Sequence, residues 1–260
     1  MSLFEDLIED KEFDKKILKS FKGKNTLCTQ IFDRVGEEYK LKEEIRNRIL
    51  EIVEQYLDFI DIEFFIHDVL FTGSLANYNW SEFSDVDIHI LIDKNEFDQS
   101  ETKNSVVLNK IIDEFFDAKE KVWKSKQNIK IKGFEVEMYV QDIDQEHISS
   151  GVYSVLNNKW VITPEKMNPR IDDNKILQKG EEYAKQIDDL VSEFNSNKDV
   201  SKETKELYKK IKTFRKSGLE KGGEYSYENL TFKLLRRNGY IGKVLDLKND
   251  ITDKKLSITQ

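Results

Sequence analysis

Asp85, Val86 and Asp87 open a run, residues 85–92, in which polar and apolar side chains alternate. In an extended strand residues i, i+2 and i+4 line one side, so Asp85, Asp87 and His89 share a face while Val86, Ile88 and Ile90 take the other. Two carboxylates held side by side on a rigid strand repel one another, which costs stability unless a cation sits between them. Residues 134–141 form a second alternating run, with Phe134, Val136, Met138 and Val140 on one face and Glu135, Glu137 and Tyr139 on the other. An acid from this run placed beside Asp85 and Asp87 would put three carboxylates on one sheet face. Such a trio suits two hard divalent ions about 3.5 to 4 Å apart. The chemistry implied is in-line displacement at the α-phosphorus of a nucleoside triphosphate, in which a metal-activated hydroxyl attacks and pyrophosphate leaves.

The elements that must hold these acids are readable around them. Residues 66–72 are short, β-branched and aromatic, and end at Gly73-Ser74, where Ser74-Leu-Ala-Asn-Tyr can open a short helix with Ser74 near the cap. Residues 37–59 carry Tyr39, Leu41, Ile45, Ile49, Leu50, Val53, Tyr56 and Leu57 at helical spacing over a charged outer face. Residues 106–122 predict another helix, with Leu108, Ile111, Ile112, Phe115 and Phe116 turned inward, and a lysine-rich stretch from Lys119 to Lys132 leads on to the 134–141 strand. Residues 3–21 show helical spacing in places, with a break near 10–12. Three strands with helices between them predict an α+β (α/β-like) fold with a short mixed sheet and flanking helices.

After residue 142 the texture changes. The two prolines, Pro164 and Pro169, place a linker at 161–173 between a core of residues 1–160, N-terminal helices included, and a helical unit of residues 174–250, with a tail at 251–260. Helices are expected over 176–194, 202–216 and 226–237, with Gly218, Gly222 and Gly223 separating the last two and Gly239 ending the third. Of the net charge of -8, residues 201–260 contribute +7, from 15 Lys and Arg against 8 Asp and Glu, leaving -15 for the first 200. That asymmetry fits a basic unit facing phosphate, and equally a differently solvated surface.

Gly73-Ser74, ten residues, then Asp85-Val86-Asp87, and a later strand bearing a third acid, resembles the signature of the nucleotidyltransferases of the DNA polymerase beta superfamily. The likeness is to small phage and bacterial members with a Gly-Ser-Leu-Ala-Asn-Tyr-like opening, and it covers residues 66–142, about a third of the chain. The resemblance implies a polymerase-beta-type core, an NTP as substrate and Mg²⁺ or Mn²⁺ as cofactor. By it, Gly73 and Ser74 hold the β- and γ-phosphates at a helix start, where unpaired N–H groups favour anions. Asp85 and Asp87 ligate both metals. Glu137 is the third acid, a Glu where many members have Asp, flanked by apolar Val136 and Met138; Glu135 is the competitor. Tyr153 could stack on the base or belong to the core. Arg215 and Lys216, with Lys233, Arg236 and Arg237, could reach the triphosphate from a helical unit that closes over it, or form a solvated face.

The acceptor is left open among an RNA 3′ end, a second nucleotide as in signalling-nucleotide synthesis, a small molecule and a protein side chain. Two other classes compete: a non-catalytic nucleotide- or RNA-binding module using the same pocket, and a structural protein whose acids face solvent. His89 reads as a packed neighbour of the acids, His67 and His147 as structural or surface groups. Tyr78 and Trp80 either pack their loop or meet substrate.

With 38% hydrophobic and 35% charged residues the chain reads as globular, and no uncharged apolar run approaches the roughly 18 residues a membrane span needs. The acidic N-terminus does not resemble a secretory signal, and the lone Cys28 rules out an intrachain disulfide or a cysteine-built metal site. A cytoplasmic protein is expected; the oligomeric state is not readable.

Overall fold

The structure, a computed structural model, describes residues 14–97, 106–145, 149–167 and 169–258. It is an α+β fold, with a mixed six-stranded sheet flanked by helices and a C-terminal helical cluster. The chain divides into two compact units: Gly23–Met167, and Met1–Lys22 together with Asn168–Gln260. Among the described residues no helix is long and apolar enough to cross a membrane.

In the sheet unit a hairpin of β1 (Phe32–Val35) and β2 (Glu38–Leu41) precedes α1 (Glu43–Ile60). The expected helix over 37–59 therefore starts later. Tyr39 and Leu41 are two residues apart, a strand spacing, and Gly36 at φ +65° turns the chain before them. From Glu43 the apolar period is helical, and Ile45, Ile49, Ile52, Val53, Tyr56 and Ile60 are buried along one stripe. The other elements are β3 (Asp68–Thr72), β4 (Val86–Ile92), α2 (Val106–Lys126), β5 (Lys130–Ile131), β6 (Phe134–Asp142), β7 (Val152–Ser154) and β8 (Lys159–Ile162). Sheet order is β5-β6-β4-β3-β7-β8; β4 and β6 run parallel and all other neighbours antiparallel. Along α2, Ile112 and Phe116 are buried, but Ile111, expected inward, is 57% exposed. The β7–β8 hairpin enlarges the expected three-strand sheet, as does the short β5.

The centre of this sheet fixes the orientation of everything on it. Val86, Ile88, Ile90 and Ile92 of β4 are fully buried, and they pack with Val69 and Phe71 of β3, Met138 of β6 and the α1 stripe. Each such side chain stabilises by about 2 kcal/mol, so a one-residue slip of β4 would expose all four and bury Asp87 and His89 instead.

The second unit is built from α3 (Asp173–Asn195), α4 (Ser201–Gly222), α5 (Tyr227–Arg237) and α6 (Tyr240–Leu256), with helical residues 14–20 beside them. Its core is Tyr183, Ile187, Leu207, Ile211, Phe232, Leu235, Ile241 and Val244. Asp172 caps α3 by accepting from the Lys175 N–H at 3.0 Å, and Ser226 caps α5 by accepting from the Asn229 N–H at 3.3 Å. Two expectations are corrected here. Gly218 does not end its helix: α4 runs on to Gly222, and a Cβ at Gly218 would stand 2.5 Å from Glu228 Cβ, so this glycine admits a close crossing. Nor is there a tail from 251, because α6 extends to Leu256, anchored by buried Ile241, Val244 and Leu247. Residues 14–22, assigned from the sequence to the core, are bound within this unit by Asn238 Nδ2 donating to Asp14 Oδ1 at 2.6 Å and by Arg237 donating to Ser20 Oγ. The expected helical stretch before residue 14 and His147 lie outside the described residues.

Half-buried Lys233 lies one helical turn from Arg236 and Arg237 on α5. Burial, opposed by Glu224 and reinforced by Arg237, Arg236 and Arg215, pushes its ammonium down to about 8. Below that pH the lysine is charged in both folded and unfolded chains, and the folded state carries the whole penalty. Between about 8 and the ordinary lysine value near 10.4 the unfolded chain binds the extra proton, so this group's contribution to stability rises with pH. Lys233→Met is therefore expected to be more stable than wild type at pH 7 by about 1 to 3 kcal/mol, with the gap closing toward pH 10. Urea unfolding of both proteins across that range checks it, and a gap that widens with pH would contradict the assignment.

Candidate active site

Asp85 immediately precedes β4, and Asp87 and His89 lie on it; all three are half-buried, in alternation with the fully buried Val86, Ile88 and Ile90. The parallel register then sets the third acid. Asp87 is the partner of Glu137, with Val86 opposite Val136 and Ile88 opposite Met138. Glu137 thus stands beside Asp87 on the adjacent strand, and its side chain is only 17% exposed. Glu135 lies two residues back, opposite Lys130 of β5, pairs with that lysine at 3.5 Å and is largely exposed.

On the other side of β4, Thr72 of β3 is the partner of Asp87, and Gly73 follows it at φ +74°. A Cβ on Gly73 would lie 1.8 Å from Asp87 Oδ2. The Asp87 carboxylate therefore rests against the Gly73 Cα, a place open only to glycine, which also tolerates the left-handed backbone. Residues 73–76 form turns, so the short helix expected at Ser74 is absent. Ser74 instead ties the ends of the loop together: its hydroxyl donates to Ser84 Oγ at 2.7 Å, and Ser84 Oγ accepts from the Ser81 N–H at 2.9 Å. Asn77 bonds to Ser150, and a Cβ on Gly151 would be 2.2 Å from the Ala76 carbonyl oxygen, so the segment before β7 clamps this loop.

Glu137 accepts from two donors. Tyr139 OH donates to its Oε2 at 2.6 Å and the Lys124 ammonium pairs with its Oε1. Burial pushes the Tyr139 phenol far above its ordinary range, and the Glu137 hydrogen bond with the charges of Glu137, Asp87 and Glu120 adds to the rise. Glu120 is raised by burial, against the pull of Lys124, and further by Glu137 and Asp117. Burial works against the charge on Lys124, but the hydrogen bond and charge of Glu137, with Glu120 and Asp85, outweigh it and hold the ammonium above its usual value. His89 Nδ1 lies 2.7 Å from Gln141 Oε1 and its ring packs against Tyr139 at 5.1 Å.

The structure sets Glu137 and Gly73 on either side of Asp87, with Asp85 two residues before it and Ser74 following Gly73. As the side chains stand, no group of three or more His, Cys, Asp or Glu among the described residues is arranged to hold a metal ion. The chemistry of the donor set nevertheless fits a hard divalent cation, since the backbone puts oxygen ligands on neighbouring strands.

Tyr153 is fully buried: its register partner is Phe71, on the core side of β3, and its ring meets Phe32 and Trp160. Its hydroxyl donates to Asn158 Oδ1 at 2.8 Å and accepts from the Leu41 N–H. It is a core residue, and it does not stack on anything on the Asp87 side of the sheet. With Tyr39, Tyr78, Asn158, Trp160 and Pro164 it borders a cavity of about 350 Å³. Trp80 packs its loop, donating from Nε1 to the Thr26 carbonyl at 2.8 Å. In the helical unit Arg215 lies over the Phe232 ring at 4.4 Å and donates to Asn229 Oδ1 at 3.3 Å, while Lys216 is exposed and pairs with Glu220 at 3.8 Å. Neither sits in a last helical turn.

Sequence reasoning missed Lys124 and Glu120. The available signal was topological: a parallel β4–α2–β6 crossover must return the chain to the start of β6, so the last turns of α2 arrive at the end of the sheet where Asp87 and Glu137 lie.

Comparison with protein-family models, with characterised proteins and with solved structures finds no match to this chain.

The Gly73–Asp87 contact can be tested by stability alone. Gly36 shares the left-handed backbone, at φ +65°, but has open space where a Cβ would go. Gly36→Ala is expected to cost about 1 kcal/mol from backbone strain, and Gly73→Ala at least about 1 kcal/mol more, because the carboxylate must be displaced. Equal losses in thermal unfolding would mean that Asp87 does not rest on Gly73.

Proposed function

We propose that this chain is a metal-dependent nucleotidyltransferase with a polymerase-beta-type core, moving a nucleoside monophosphate from an NTP to an acceptor hydroxyl with release of pyrophosphate. The observation that carries this reading is the register of β4 against β6, which sets Glu137 beside Asp87, with Gly73 against the Asp87 carboxylate on the opposite side. When bound, Mg²⁺ or Mn²⁺ would supply countercharge for the triphosphate and lower the pKa of the attacking hydroxyl. Asp85, Asp87 and Glu137 are the residues that would hold it. Asp87, wedged between Gly73 and Glu137, has little freedom to turn away, which suits a ligand that must stay fixed through the reaction. Glu137, nearest β5 at the sheet edge, is the acid assigned to the acceptor side. On this reading the turn at Gly73-Ser74, rather than a helix start, would offer backbone N–H groups to the β- and γ-phosphates.

Two outcomes are expected. Calorimetric titration with an NTP should show binding that strengthens on adding Mg²⁺ or Mn²⁺; Asp87→Asn should abolish turnover while circular dichroism stays that of wild type. Equal NTP affinity with and without the ion, and no heat from the ion alone, would favour a non-catalytic nucleotide-binding module.

A third outcome separates the two glutamates on β6. Glu137→Gln should lower kcat by about 10² or more at saturating NTP, the order expected when a metal-bound centre loses a ligand, and Glu135→Gln should change it little. The reverse order would place the third acid on the wrong residue.

A further inference from the structure

Lys124 pairs with Glu137 of the proposed site, and its surroundings give it a specific task. It lies in the last turn of α2, one turn after Glu120, and its ammonium pairs with Glu137 Oε1 while feeling the charges of Glu120 and Asp85. A lysine at a helix C-terminus is also favoured by the helix dipole. Glu137, Glu120 and Asp85 all act on Lys124, so the lysine sits among several acids rather than beside one. A divalent ion offers neighbouring carboxylates more charge than a single ammonium does.

The pair is built to be broken. Lys124 is 48% exposed and reaches Glu137 on a flexible stem, and ion pairs of this kind are worth only about 1 kcal/mol or less. It occupies a Glu137 oxygen that a cation would need, while the backbone register already sets Glu137 beside Asp87.

We propose that Lys124 is a resident counter-cation that occupies Glu137 until a divalent ion displaces it, so that loading of the third acid proceeds by exchange of a lysine for a metal. This rests on the reading of Asp85, Asp87 and Glu137 as metal ligands. Lys124 is on this view a positioning residue: it holds the Glu137 carboxylate in place when no ion is present, and it sets the concentration at which the ion enters.

Metal affinity of the full chain, with no nucleotide present, tests this directly. Free Mn²⁺ is followed by electron paramagnetic resonance during titration of wild type, Lys124→Met, Glu137→Gln, the double variant, and Lys121→Met as a charge control on the same helix. Lys124→Met is expected to bind Mn²⁺ about three- to tenfold more tightly than wild type, the size of a weak competing ion pair, with Lys121→Met within about twofold. The gain should vanish when Glu137→Gln is added. If wild type binds Mn²⁺ and Lys124→Met binds it no better, or if the gain survives in the double variant, the exchange is wrong while the metal reading stands. If no protein in the set binds Mn²⁺, the metal reading itself has failed and takes the exchange with it. Should Lys124→Met lose the wild-type circular dichroism, Lys124→Gln replaces it and the same comparison decides.

Discussion

The parallel pairing of β4 with β6 is the constraint on which the rest of the sheet unit depends. Four fully buried aliphatic side chains pin one face of β4 to the core, and the period of two then leaves Asp87 and His89 no choice of side. Pairing with β6 repeats that choice one strand over, so Glu137 is delivered next to Asp87 by the same burial that stabilises the sheet. The antiparallel neighbour β3 completes the arrangement by ending at Thr72, opposite Asp87, where the chain can turn away only because Gly73 offers no side chain. Apolar packing thus does the positioning, and the charged groups pay for it in mutual repulsion.

That logic explains which parts were legible beforehand. Residues 85–92, 106–122 and 134–141 each carry a consistent period, residues 66–72 a β-branched and aromatic composition ended by Gly73, and the structure places β4, α2, β6 and β3 over them. Around Tyr39 and Leu41 the period was ambiguous, since a spacing of two joins a helical stripe at Ile45 without a visible seam; only the turn at Gly36 separates them. The β7–β8 hairpin had its own local signal, Asn157-Asn158 between two runs rich in β-branched and aromatic residues, with Asn158 at φ +54°. Its strands are three and four residues long, and short runs carry too few alternations to be read with assurance. The last helix was hidden for the opposite reason: Ile241, Val244 and Leu247 give it a thin apolar stripe within a strongly charged segment.

Within the helical unit, net charge proved a coarse guide to individual side chains. Arg215 and Arg237 are engaged with aromatic rings and side-chain acceptors of their own unit, through Phe232 and Asn229 in one case and Phe21 and Ser20 in the other. A guanidinium used in this way contributes packing as well as charge. Lys216 is solvated and tied to Glu220 one turn on. The composition of a segment counts all of these alike, and only contacts distinguish a cation that braces a helix pair from one that stands in solvent.

The acid face also differs from metal sites whose ion is part of the folding free energy. There the ligands are brought together by the metal and fall apart without it. Here each oxygen of Glu137 already has a donor, Tyr139 for one and Lys124 for the other, while His89 is held by Gln141 and the strands by their own ladder. Tyr139 and Glu120 beside Glu137 are both raised, by burial first and by neighbouring acids after it. The site's support is distributed: burial of β4 holds the backbone, a tyrosine satisfies one oxygen of Glu137 without adding charge, and a lysine from the crossover helix brings positive charge to the other. Of these three supports, the lysine alone is both exposed and flexible. It can therefore leave without loosening the sheet, and that makes the α2 end, rather than either strand, the place where the charge of the site can be altered while its geometry is kept.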